Sequence, residues 1–196
     1  MKKILLLFAL CLCTFVSSAI EFSIGEFVNA SNQKTYNVDV RLNDNKIEEV
    51  YIYMATASGN KGYFNFRGKK LAEFYKKLGD IQEKYEQWSS TAKETQLVSF
   101  TKSFDIKLPR GNLFWHGSQV WLASFKHIEA VFSVAQQIPM IVIAGSATDM
   151  RNRFITESFH IVFTQLKDFE NFREIFNPEK ALKKALDCQA LTDKFK

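Results

Sequence analysis

The apolar residues of this chain change period at Gly68, from two to between three and four, and that switch constrains the fold more than any other feature. Ahead of it, Tyr36, Val38, Val40 and Leu42 alternate with Thr35, Asn37, Asp39 and Arg41, and Val50, Ile52 and Met54 alternate with Tyr51 and Tyr53. Successive side chains on a strand point to opposite faces, so each run predicts a strand with one face in a core. Asp44 and Asn45 supply turn chemistry between the two runs and predict a hairpin. A second break from Ser58 to Gly62 leads into a short third strand over Tyr63 to Phe66, and Glu21 to Val28 adds an edge strand in front.

Behind the switch, Leu71, Phe74, Leu78, Ile81, Tyr85 and Trp88 recur at steps of three and four with charged residues between them. That spacing predicts an amphipathic helix over 68–88 whose apolar stripe lies on the sheet. Gly79 inside it costs about 1 kcal/mol relative to alanine, which predicts a kink or a close contact there. The Ser89, Ser90, Thr91 triplet is expected to end it.

Strand patterns then resume. Val98, Phe100, Phe104, Ile106 and Leu108 share one parity with Lys102 as the intruder, and Pro109 to Asn112 form a turn. A long extended segment is predicted from Leu113 to Phe125, followed by strands over Ala130–Val134, Met140–Ala144 and Ile155–Leu166. The chain closes in helix over Phe169–Phe176 and, from a Pro178 suited to a helix start, Pro178–Leu186. Strands in runs, broken once by a long helix, predict the α+β class: a mainly antiparallel, curved sheet of about six to nine strands, the long helix packed on it, and a C-terminal helical segment.

The first residues carry an address rather than a fold. Lys2 and Lys3, an apolar run from Ile4 to Val16, then Ser17, Ser18 and Ala19 follow the plan of a secretory signal peptide over 1–19. The run is shorter than the roughly 20 residues that cross a bilayer as a helix, and no transmembrane segment is predicted later. The expected product is a single exported domain over 20–196, periplasmic or extracellular, large enough to bury a core. Cys11 and Cys13 leave with the signal, so Cys188 has no partner for an internal disulfide. Losing Lys2 and Lys3 lowers the formal charge of +5 to +3, a balance that does not point to nucleic acid. Asn29, Ala30 and Ser31 spell a glycosylation sequon.

Recognised catalytic patterns are missing. His116, His127 and His160 have no second ligand at metal-binding spacing, so neither a metal nor a cofactor is predicted. Gly145 and Ser146 depart from the nucleophile elbow, and Glu48 and Glu49 are expected on opposite faces of a strand, where they cannot work together on one bond. Aromatic residues are the surplus, with 19 Phe, 6 Tyr and 3 Trp. Trp115 and Trp121 share a parity on the Leu113–Phe125 segment, with Arg110 at one end and Lys126 and His127 at the other. Exposed, they form a stacking platform for sugars, peptides or flat ligands, which makes Arg110, Trp115, Trp121 and His127 the candidate ligand-binding residues. Buried, they are core beneath the helix, the reading favoured because large aromatics dominate interiors. Tyr51 and Tyr53 offer a second pair of the same kind.

Three functions fit this pattern. The first is an exported non-catalytic binding or accessory domain, taking a small ligand or a cell-envelope protein on one face of its sheet or in a groove between sheet and helix. The second is an exported hydrolase with a dispersed site around His116 or His127. The third is a cell-envelope partner protein that pairs through a sheet edge.

Overall fold

The computed structural model describes residues 20–116, 120–126 and 128–195. The predicted signal peptide and His127 therefore lie outside the described residues. The described residues form ten strands and three α-helices: β1 (Glu21–Asn29), β2 (Lys34–Asn43), β3 (Lys46–Ala55), β4 (Lys61–Arg67), α1 (Leu71–Glu94), β5 (Ser99–Lys107), β6 (Gly111–His116), β7 (Val120–Lys126), β8 (Glu129–Ala135), β9 (Ile138–Thr148), β10 (Thr156–Phe163), α2 (Leu166–Ile175) and α3 (Pro178–Asp193).

The class is α+β, with two antiparallel sheets instead of one continuous sheet. Six strands order as β1-β2-β3-β4-β6-β7 and four as β10-β9-β8-β5. The β2–β3 connection is the predicted tight hairpin: Asn43 pairs with Lys46, and Asp44 and Asn45 both take positive φ, at 49° and 57°. Two left-handed residues in a row give the turn whose twist matches that of the flanking strands. Gln136 and Gln137 repeat this geometry between β8 and β9, with φ of 51° and 65°.

The segment from Leu113 to Phe125 is not one strand. It reverses into the β6–β7 hairpin, where Trp115 pairs with Trp121 and Gly111 with Lys126. Arg110 and Lys126 thus come to the same end of the hairpin instead of opposite ends.

Helix α1 also runs past its expected stop. Ser89 Oγ donates to the Glu86 carbonyl at 3.1 Å and Thr91 Oγ1 to the Gln87 carbonyl at 3.2 Å, so the hydroxyls bond back onto the helix rather than ending it. Its buried stripe continues through Ser89 and Ala92. The close contact expected at Gly79 is with Arg173 of α2, whose Nη2 would lie 3.2 Å from a Cβ at that position. At α3, Pro178 opens the helix and Asn177 Oδ1 accepts the Lys180 amide at 3.2 Å, a side-chain N-cap.

Most of the phenylalanine surplus is core. Phe64, Phe66, Phe74, Phe176, Phe172 and Phe163 form an unbroken series of ring contacts with centroids 4.7 to 6.1 Å apart, tying β4 to α1, α2 and β10. A second cluster joins Tyr85, Trp88, Phe104 and Phe132 across α1, β5 and β8. Burying an aromatic ring is worth about 1.5–3 kcal/mol by area alone, so these clusters anchor the helices to both sheets.

The sheets are stitched together at their margins. The Ala30 amide donates to the Val162 carbonyl, Ala57 to Ser158, and Met150 to Leu122, at 2.7 to 3.0 Å. Glu157 of β10 accepts from Ser58 and Asn60 in the β3–β4 turn. No described helix is long and apolar enough to cross a membrane.

Candidate functional site

The sequence-predicted site does not assemble as an exposed platform. Trp115 is 1 % exposed, because β6 turns its odd-numbered residues inward, where Leu113 and Trp115 join the core. Its ring is closed to a ligand. Trp121 is placed only by its backbone pairing with Trp115, and His127 lies outside the described residues. Arg110 is exposed just ahead of β6. His116 is exposed at the end of β6 opposite Lys61, and neither it nor His160 has a side-chain hydrogen bond among the described residues. The half-buried Cys188 packs against the core from α3.

The second aromatic pair, Tyr51 and Tyr53, sits in a more specific setting. Both project from the outer face of the six-stranded sheet, opposite the core-facing Val50, Ile52 and Met54. Register places Ser23, Asp39, Tyr51, Asn65 and Asn112 in one row across β1, β2, β3, β4 and β6. A neighbouring row holds Tyr53, Tyr63, Phe114 and Leu122. On the other side run Glu21, Arg41, Glu49 and Arg67. The polar row that holds Tyr51 therefore lies between an aromatic row and a charged one on a single face.

The rings form a continuous strip. Tyr63 stacks on Phe114 with centroids 4.9 Å apart and 21° between planes, while Tyr51 and Tyr53 each meet Tyr63 at 5.6 Å. Tyr53, Tyr63 and Phe114 are half-buried; Tyr51 is 4 % exposed. The phenols are aimed at carboxylates, Tyr51 donating to Glu49 Oε2 at 2.6 Å and Tyr53 to Glu21 Oε2 at 2.9 Å. The second bond spans β2, the strand that carries Asp39. Burial first, then these bonds to carboxylates, push the pKa of both phenols well above the ordinary tyrosine value, so both remain proton donors.

Glu48 and Glu49 are brought together against expectation. The register slips between Arg41 and Leu42, which face Glu49 and Ile47, leaving Glu48 as a bulge. The bulge lets both carboxylates reach one guanidinium: Arg41 Nε lies 3.0 Å from Glu48 Oε2 and a terminal nitrogen 3.0 Å from Glu49 Oε2.

Two acceptors on this face lack donors. Asp39 Oδ1 and Asn65 Oδ1 are buried with no hydrogen-bond partner, although Asn65 donates its amide to Glu49 at 3.4 Å. Asn65 is 6 % exposed. Burial raises the Asp39 carboxyl above its ordinary value; a bond from Ser23 opposes this and the nearby charge of Glu21 adds to it. The two acceptors flank Tyr51 on the adjacent strands β2 and β4.

Two other concavities are less specific. An open groove of about 200 Å³ between α1 and β5 is lined by Trp88, Leu97, Phe100, Phe132 and Lys102, with the Lys102 ammonium 4.6 Å above the Trp88 ring. A polar hollow on the outer face of the four-stranded sheet gathers Glu129, Ser146, Ser158 and His160, but no hydrogen bond joins these side chains. Among the described residues, no three His, Cys, Asp or Glu side chains converge as a metal-binding group. Comparison of the chain with family models, curated proteins and solved structures finds no significant match.

Proposed function

We propose that this chain is an exported, non-catalytic binding module whose ligand seats on the tyrosine-carboxylate face of the six-stranded sheet. The observation that carries this reading is the pair of buried, unpartnered acceptors, Asp39 Oδ1 and Asn65 Oδ1, on either side of Tyr51. Buried polar atoms are nearly always hydrogen-bonded, and one left unpaired costs about 1–3 kcal/mol. A ligand that donates to both, reaching them as the side chains above shift aside, removes that cost on binding. The half-buried rings of Tyr53, Tyr63 and Phe114 beside them supply apolar contact area.

Export is supported by the basic start, apolar run and small residues of the first nineteen positions. Pairing through a sheet edge has less support. Lys84 Nζ donates to the Phe104 carbonyl of β5 at 2.7 Å and Lys77 Nζ to that of Lys107, while Asn29, Ala30 and Ala57 engage β10.

The test is a thermal-shift and titration screen of the purified protein against hydrogen-bond donors: amines, guanidines and sugars. A saturable, concentration-dependent shift that Asn65→Leu abolishes, with the far-ultraviolet circular dichroism unchanged, supports the reading. Equal responses from wild type and variant, or no response to any compound, sink it.

A further inference from the structure

We propose that the ligand is an organic cation, an ammonium or guanidinium group that binds at Asp39 against the rings of Tyr53 and Tyr63. This rests on the reading of the tyrosine-carboxylate face as the binding site. The charges there do not balance. Arg41 is engaged by both Glu48 and Glu49, leaving Asp39 and Glu21 with no ion-pair partner among the described residues. Glu21 holds only the Tyr53 phenol, and its charge acts on Asp39 across β1 and β2. Two carboxylates on adjacent strands without a cation between them repel, and a ligand cation relieves that repulsion where a neutral ligand does not.

Hydrogen-bond polarity agrees with the charge. Both orphaned atoms are acceptors, so the ligand must donate at both points. Asn65, more than nine-tenths buried, has its Nδ2 committed to Glu49 and its carbonyl oxygen unanswered. Adjacent strands lie about 4.8 Å apart, so the rows place these acceptors roughly two strand spacings from each other with Tyr51 between. A cation carrying a second donor several bonds away, such as a diamine or the free amino acid arginine, matches that layout. A bare metal ion does not, because the carboxylates are spread around rings rather than converged on a point. Aromatic faces next to the unpaired carboxylates add cation–π attraction for the same class of ligand.

Isothermal titration of the purified protein with putrescine, arginine and, as a neutral donor-rich control, cellobiose tests this. The expected result is saturable binding of at least one of the two cations, at least tenfold tighter than cellobiose and weakening as salt rises. Asp39→Asn keeps an acceptor of the same shape and removes the charge. It is expected to weaken the cation at least tenfold, and any cellobiose affinity by less, while leaving the circular dichroism unchanged. Cellobiose binding that Asn65→Leu abolishes, with neither cation bound, overturns the cation and leaves the binding face standing. Silence from all three probes overturns the cation as well, and with no response across the wider donor screen the binding face fails too. Cation binding that Asp39→Asn does not weaken places the cation elsewhere and overturns the proposal.

Discussion

The side-chain amide of Asn29 donates to the His160 carbonyl at 2.9 Å, and its Oδ1 accepts the Val162 amide at 3.0 Å. A single side chain on β1 thereby acts as a strand partner for β10, joining the two sheets where no ladder runs between them. Asn29 is 2 % exposed, so in the folded chain the sequon amide is a structural group and not a surface acceptor. Asn29→Ala leaves two backbone groups of β10 without partners and is expected to lower unfolding free energy by about 1–3 kcal/mol in a urea titration. Asn29→Asp retains the acceptor for Val162 and, when protonated, an O–H that can donate toward the His160 carbonyl, so its loss should fall between wild type and alanine at a pH where the aspartate is protonated and grow as it ionises. An alanine variant as stable as wild type would show that the β10 margin is held by something else.

Asp39 sets a pH dependence of opposite sign to that of Glu73, Glu157 and Glu174. Its folded-state value is raised by burial, so between the ordinary 3.8 and that raised value the folded state binds more proton than the unfolded state. Stability is then lost as pH rises through this window and regained on acidification. Glu73, Glu157 and Glu174 are held low by their hydrogen-bond partners, and their contribution is lost as pH falls. Subtracting Asp39→Asn from wild type isolates the first effect. The variant should melt higher than wild type at pH 7, and the gain should shrink toward zero below pH 3.8, measured by thermal unfolding at steps of pH. A difference constant with pH would mean that Asp39 titrates normally.

Trp88 lies flat on Phe104, ring centroids 5.2 Å apart and planes within 2°, under the Lys102 ammonium. The three groups differ widely in what they contribute. Phe104 is wholly buried, so Phe104→Ala opens a cavity and is expected to cost about 3–5 kcal/mol. Lys102 is on an exposed strand, where a cation–π contact is worth about 0.5–1 kcal/mol, so Lys102→Gln should cost no more than that. Chemical denaturation of the two variants checks the order, and a Lys102 effect as large as that of Phe104 would mean that the lysine supports the edge of β5 as well.

Local patterns were legible in the sequence and reversals were not. The Asp44 and Asn45 turn, the stripe of α1 and the alternation of Tyr51 and Tyr53 each depend on neighbours a few residues apart, so the spacing alone reveals them. The β6–β7 hairpin escaped because Trp115 pairs with Trp121, which keeps the parity that a single strand would have. A period of two cannot register such a reversal. The helix end was misplaced because Ser89 and Thr91 are neutral between capping and back-bonding until their geometry is known. At the site, the tyrosine face could be read, but the meeting of Asp39, Tyr51 and Asn65 is set by the register of three strands. The shared grip of Glu48 and Glu49 on Arg41 needed a bulge that no alternation pattern contains.

Gly111 and Gly59 are small for different reasons, and substitution should separate them. A Cβ on Gly111 would lie 2.1 Å from the Asn65 carbonyl oxygen and 2.5 Å from the Phe64 ring, so alanine there must push β6 away from β4. Gly59 has open space around it but a φ of +84°, which costs an alanine about 1–2 kcal/mol of backbone strain and nothing in packing. Gly59→Ala is therefore expected to lower stability by that amount and to leave ligand response unchanged. Gly111→Ala should cost at least as much, about 1–3 kcal/mol or more, because backbone and a wholly buried ring must both give way. It should also weaken any ligand that uses the Asn65 row, since Asn65 pairs with Asn112 immediately beside the clash. Measuring melting temperature and ligand response together distinguishes the two: a Gly111 variant that loses stability yet binds normally would show that the acceptor at Asn65 is not part of the site.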